Sequence, residues 1–337
     1  RESHAGWYVL IGICAAVPCL MVLVLLLMSA DMVFADLLVR FAGVFRFPVK
    51  LLRILLMLVF GFLSSYCGVR YVQKHAADIK PSAGKTAEPL IAIAFTAPIA
   101  VLYLLFSAIQ IVYLFIGNMQ LPAGVTYAEY ARRGFFQLLF VCVLNLAAVL
   151  SIQSYFKENR VLKALLLAIS GCTLIMTASS ACRMLLYIRA YQLTFLRVSV
   201  LVALAVIALL MAGVIAKIVK PQFPLFRYGF VLAGAVYLVF AFSHVDYFIA
   251  AYNLTHTSWE ASGEETVDYS YLYTLSTDAA PAIEKYAGKS GAADYRKQGW
   301  YQLYCEANEE ALNETGLRTY NVSHAVAKQL LMEDNRE

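Results

Sequence analysis

Charge is scarce in this 337-residue sequence, where 15% of residues are Asp, Glu, Lys or Arg and 61% are hydrophobic. A soluble domain carries about a quarter of charged residues, so this balance excludes one and marks a multi-pass membrane protein. No HExxH, GxSxG or GxGxxG is present, and "AGKT" at 83–86 lacks the glycine four residues earlier that a phosphate-cradling loop needs. Those absences remove the ready signatures of zinc proteases, serine hydrolases, dinucleotide enzymes and P-loop nucleotidases. The histidines (His4, His75, His244, His256 and His324) are scattered, and none of the seven cysteines forms a CxxC pair or sits with histidines at metal-ligand spacing. No metal and no other cofactor is therefore expected, and no catalytic residue is assigned. Cys14, Cys19, Cys67, Cys142, Cys172 and Cys182 lie in apolar runs and read as small core hydrophobes, while Cys305 stands alone in a polar tail that can form no internal disulfide. The basic loops are short and lack interleaved aromatics, which argues against nucleic acid as a partner.

What is present is hydrophobic length. Runs of about 20 apolar residues can cross a hydrocarbon core of roughly 30 Å, and lipid requires them to be helices because a lone strand leaves its backbone unsatisfied. Seven segments qualify or nearly so: 7–29, 50–70, 90–116, 134–155, 161–186, 198–217 and 227–249. Lys and Arg favour one set of loops eleven to eight, a bias that puts the N-terminal end in the cytoplasm and the C-terminal tail outside. The sequence opens at Arg1 with no signal-peptide pattern, and further chain upstream is expected. Between the first two spans, Val33, Leu37 and Phe41 alternate with Arg40, Arg46, Lys50 and Arg53 in the manner of an amphipathic helix in the headgroup layer. Tyr66, Tyr71, Tyr187, Tyr191, Tyr247 and Tyr252 sit at span ends as interfacial anchors.

Net charge divides the chain. Residues 1–252 carry 20 Lys+Arg against 8 Asp+Glu, and residues 253–337 carry 7 against 14, so a basic transmembrane domain (1–252) precedes an acidic C-terminal region (253–337). That region has helix punctuation: Ser276, Thr277 or Asp278 as a cap, Pro281 in the first turn and Gly288 as a stop. A second helix, with Trp300, Tyr304, Ala307 and Ala311 on one face, and a third after Asn321 complete a small helical region. "DYSYLYTL" at 268–275 repeats tyrosine at every second residue, which suits packing against the membrane portion better than sugar binding.

The ionisable residues near the outer ends of spans are Asp31 and Asp36, Arg183, and His244 with Asp246. Charge at such depth is costly, so it pairs or faces other helices. Glu129 and Arg132 or Arg133 precede the fourth span on the same side, where Thr126 and Glu129 form a capping box and Glu129 stands one turn before both arginines. Asp31, Glu129, Arg132, Arg183 and Asp246 are the candidate polar rim, either interfacial charges that neutralise one another or a pocket opening outward. Gln110 and Asn145 within spans read as interhelical hydrogen-bond glue. No span carries a carboxylate at its middle, which counts against a coupled transporter.

"VTYAEYARRGFFQLL", "RAYQLTFLRV", "DYFIAAYNL", "VDYSYLYTLSTDAAPAI" and "RTYNVSHAVA" occur in an order that resembles a bacterial family of multi-pass membrane proteins classed as a domain of unknown function. The resemblance runs from about residue 6 to 331 and is most specific in "EYARRGF" and "LSTDAAPAI". It implies a polytopic protein of the cytoplasmic membrane with no established activity, and motif positions at Asp31, Glu129, Tyr130, Arg132, Gly134, Asn253, Asp278, Pro281 and Asn321. Arg133 and His244 depart from the pattern and take no family role.

The expected fold is all-α: a polytopic bundle of about seven spans, an interfacial amphipathic helix and a small α-helical extracytoplasmic C-terminal region. The expected function is a non-enzymatic partner-binding module for envelope sensing or assembly, with the lipid bilayer and another membrane or envelope protein as partners. Asn253, Asp278 and Asn321 are its candidate partner-binding residues. The alternatives are a permease or channel for a small solute, and an intramembrane enzyme acting on a lipid-linked substrate with Glu129 or Asp246 as acid or base.

Overall fold

The computed structural model describes residues 5–42, 87–112, 135–256, 258–259, 265–266, 269–286, 298–313 and 321–333. The expected span at 50–70 and the "EYARRGF" element, with Glu129 and Arg132, lie outside them. The described chain is all-α apart from one antiparallel pair of two-residue strands, β1 (Ser258–Trp259) and β2 (Glu265–Thr266). Among the described residues, six helices are long and apolar enough to cross a membrane: α1 (Ala5–Ala30), α3 (Pro89–Gln110), α4 (Phe135–Tyr155), α5 (Arg160–Tyr191), α6 (Phe195–Val219) and α7 (Leu225–Phe242). α2 (Met32–Ala42) follows α1 after a single residue. At 32 residues α5 is about 48 Å long, well beyond the hydrocarbon thickness, so its ends stand in the headgroup layers or water.

The chain divides into two compact units. In the first, comprising 1–125, 133–181 and 207–229, α1 packs against α3 and α4 over a core that includes Leu27, Phe34, Tyr103, Phe106, Leu138, Met176 and Met211. α1 and α3 come together at Gly12, where a Cβ would stand 2.6 Å from both the Ile91 carbonyl oxygen and the Ala94 Cβ. Glycine is what permits the two backbones to approach this closely. Gly213 does the same for a ring: a Cβ there would meet Tyr228 at 2.4 Å, and the Tyr228 hydroxyl donates to the Leu209 carbonyl at 2.8 Å. α2 packs Phe34 and Leu38 on this core, with Phe34 edge-on to Phe106 at 5.1 Å.

The second unit comprises 126–132, 182–206 and 230–337. The expected span over 227–249 stops at Phe242, and α8 (Val245–Thr255) begins after His244, which adopts a left-handed conformation (φ 46°) that breaks the helix. α8 packs on a 3₁₀ turn (Thr277–Ala279) and on α10 (Ala280–Tyr286), which follows a single turn, α9 (Tyr269–Leu272). α11 (Gly299–Asn313) and α12 (Val322–Lys328) complete the cluster. α11 buries Trp300, Tyr304, Asn308 and Leu312, whereas Ala307 is exposed. Asn308 occupies the buried face because its amide donates to the Leu275 and Tyr304 carbonyls at 3.1 and 3.0 Å.

Candidate functional site

In the first unit, Asp31 occupies the junction between α1 and α2 and is 3% exposed. It is the N-cap of α2: its Oδ1 accepts the Phe34 N–H at 2.9 Å, satisfying one of the helix's orphan donors. Its Oδ2 accepts from Gln110 Nε2 at 2.8 Å, and Gln110 Oε1 in turn accepts from the Ser179 hydroxyl at 2.6 Å. The carboxylate thus joins the α1–α2 corner to the end of α3 and to α5 through side chains that are almost fully buried. Two donated hydrogen bonds and the positive end of α2 offset the cost of a buried negative charge. A second buried chain crosses the same unit lower in the spans. Tyr103 donates to Asn145 Oδ1 at 2.6 Å, Asn145 Nδ2 donates to the Thr173 hydroxyl at 2.9 Å, and that hydroxyl donates to the Ile169 carbonyl at 2.7 Å.

The second unit holds the remaining residues. Arg183, four residues after Ser179 on α5, is 1% exposed. Asp246 lies in the first turn of α8, and its Oδ2 accepts from both the backbone N–H (3.1 Å) and the hydroxyl (2.6 Å) of Ser276. His244 Nδ1 stands 3.5 Å from Asp278 Oδ1, so the start of α8 is tied to the 3₁₀ turn at two points. The Ser276 carbonyl accepts from Tyr304 at 2.9 Å, which extends the linkage to α11. Burial pushes the Tyr304 phenol above its ordinary range, with the nearby Cys305 thiol adding to the effect, and burial also raises the Cys305 thiol.

Asn253 is 1% exposed and clamps the turn between α5 and α6, accepting the Leu193 N–H at 2.8 Å and donating to the Leu193 carbonyl at 2.9 Å. Gln192, at φ 64°, donates to the His256 carbonyl at 2.8 Å, and Arg197 donates to the Tyr191 and Gln192 carbonyls while its guanidinium lies 4.3 Å from the centre of the Tyr187 ring. The Tyr271 hydroxyl accepts the Phe195 N–H at 2.9 Å, and Tyr269 stacks on Trp300 at 5.2 Å, so the spaced tyrosines serve packing. Asn321 caps α12 by accepting the Ser323 N–H at 2.9 Å.

Asp31 therefore meets Gln110 and Ser179, and Asp246 and Asp278 meet at the Ser276 turn. Gln110 and Asn145 form side-chain hydrogen bonds between helices, as interhelical glue would. Ser179, Gln192 and Leu193 carried no sequence signal, because a lone serine in an apolar run and a non-glycine left-handed turn leave no pattern. Among the described residues, no group of three or more His, Cys, Asp or Glu could hold a metal ion. No curated protein and no solved structure matches the chain. The family model for a domain of unknown function, DUF4153, matches residues 1–286, and the chain belongs to that family. The "RTYNVSHAVA" stretch, with Asn321, lies beyond the matched span.

Proposed function

We propose that this DUF4153 member is a non-enzymatic membrane module that captures another membrane or envelope protein through its C-terminal region, on the extracytoplasmic side. The observation that carries the reading is the saturation of the nominated carboxylates among the described residues, which do not include Glu129. Asp31 and Asp246 each accept two hydrogen bonds from the protein, and Asp278 faces His244. A general acid or base needs a carboxyl group free to exchange a proton with a substrate in a cleft. Groups committed to helix caps and turns serve instead to hold a surface in shape.

The surface so held combines apolar and acidic side chains. Leu303, Val322 and Val326 are 48%, 64% and 38% exposed, and Glu306, Glu309 and Glu310 are exposed on α11. Apolar anchors flanked by charge are the composition of a partner-binding patch. Photo-crosslinkers placed at Leu303 and Val322 in native membranes test the proposal. One discrete protein adduct, lost in Asp278→Ala while the abundance of the chain holds, supports it. Adducts to lipid alone, or a parallel loss of abundance, refute it.

A further inference from the structure

At the opposite end of the first unit's spans, the end of α4, the start of α5 and the end of α6 line a shallow, open cleft. The walls are apolar and buried, formed by Ile152, Leu162, Leu166 and Ile218. Its rim is basic: Lys157, Lys163 and Lys217 stand with one acid in the lining, Glu158, and a second, Glu88, against Lys157. Asn159 caps α5 at the rim, its Oδ1 accepting the Val161 N–H at 2.8 Å, so the positive end of a 32-residue helix opens beside the lysines.

We propose that the rim of this cleft binds an anionic phospholipid, with the phosphate at the lysines. Charge complementarity and position decide the occupant. The cleft opens where three membrane spans end, the depth at which a phospholipid presents its phosphate above its chains. The lysines are held by contacts a phosphate can replace. Lys157 pairs with Glu88 at 2.7 Å and Lys163 with Glu158 at 3.0 Å, both in half-exposed positions where ion pairs are weak. Lys217 donates to the Pro221 carbonyl, so among the described residues its charge is matched with a dipole rather than a carboxylate. Basic pockets between membrane helices recognise anionic headgroups in this way. The site is separate from the C-terminal surface and does not depend on partner capture.

Native mass spectrometry of the full chain in detergent, with equimolar phosphatidylglycerol and phosphatidylcholine of matched chains, tests the assignment. One phosphatidylglycerol is expected to be retained in preference to phosphatidylcholine. Each lysine near an anionic surface contributes about fivefold, so Lys163→Gln with Lys217→Gln should lower retention about 30-fold. Glu158→Gln should raise it about fivefold, a change that misfolding cannot mimic. Arg40→Gln, at an exposed position on α2, should leave retention as it is. Equal retention of the two lipids, indifference to the double lysine variant, or a fall with Glu158→Gln overturns the proposal. Displacement of the lipid by inorganic phosphate at the same concentration also overturns it, because the cleft would then be a site for the free anion.

Discussion

Replacing Asp31 separates a structural carboxylate from a functional one. In Asp31→Ala the Phe34 N–H and the Gln110 amide lose their acceptors in a region where Phe34 and Gln110 are 0% and 1% exposed. A buried donor left without a partner costs about 1–3 kcal/mol, so the two together predict a loss of about 2–6 kcal/mol. Removing the carboxylate also relieves its own desolvation, which pulls the value toward the lower end. Asp31→Asn is the sharper comparison. Asn keeps the oxygen that caps α2 but presents an N–H₂ to the Gln110 amide, so only one bond is lost, for about 1–2 kcal/mol.

The assay is equilibrium unfolding in mixed detergent micelles, where Ala should cost at least twice what Asn costs. A double-mutant cycle with Gln110→Ala should give a coupling energy of about 0.5–3 kcal/mol. If Asp31→Ala unfolds within about 0.5 kcal/mol of the parent, the hydrogen bonds contribute nothing and the structural assignment fails. If stability is kept and partner capture is lost, Asp31 belongs to the functional surface instead.

Three further outcomes follow from other parts of the molecule. Gly12→Ala places a Cβ 2.6 Å from the Ile91 oxygen, so α1 and α3 must part at a cost of about 1–3 kcal/mol, read in the same unfolding assay. Asn253→Ala removes both bonds to Leu193 and should open the 192–194 turn to protease at least tenfold faster, while Asn253→Asp, which keeps the acceptor, should show a smaller change. Alkaline pH should loosen the C-terminal cluster, because raised folded-state values for Cys305 and Tyr304 give stability that is complete below the unfolded values of 9.0 and 10.0 and declines as pH rises beyond them. Loss of helical signal from this region between pH 9 and 11, reduced in Tyr304→Phe, checks the sign; stability that rises over that range contradicts it.

The spans were legible because hydrocarbon thickness turns composition into length: about 20 apolar residues admit few readings besides a crossing helix. Their ends were less so. "AFSHVDYFIA" is apolar enough to continue the seventh span, yet His244 turns the backbone left-handed and starts a new helix on the C-terminal cluster. A non-glycine residue at positive φ has no composition that announces it. The face of α11 was read correctly at Trp300 and Tyr304 and one position off after them, at Ala307 in place of Asn308. Asp31 and Asn308 are polar residues in buried rows, and periodicity assigns polar residues to solvent unless their partners are known. Those partners are distant: Gln110 lies 79 residues from Asp31, Leu275 lies 33 from Asn308, and Leu193 lies 60 from Asn253. Asp31 and Gln110 both stand out in the sequence, whereas Ser179, which donates to Gln110, does not.

The positions of the described carboxylates then follow from the solvent. A membrane helix ends where its first N–H groups and last C=O groups need partners, and lipid supplies none. Asp31 caps the helix that leaves α1, Asp246 lies in the first turn after α7 and binds the Ser276 N–H that precedes a 3₁₀ turn, and Asp278 meets the residue that breaks the chain before α8. Each acid stands where a span gives way to a different direction of chain. This explains why carboxylates are absent from the middle of the described spans. Mid-span, every backbone group is already paired along the helix, so a carboxylate there would bear its desolvation cost without repaying any of it through a cap. The same reasoning separates the two ends of the first unit: at one, Asp31 closes a helix start, whereas at the other the lysines, paired with half-exposed Glu88 and Glu158 or with the Pro221 carbonyl, leave room for a ligand's phosphate.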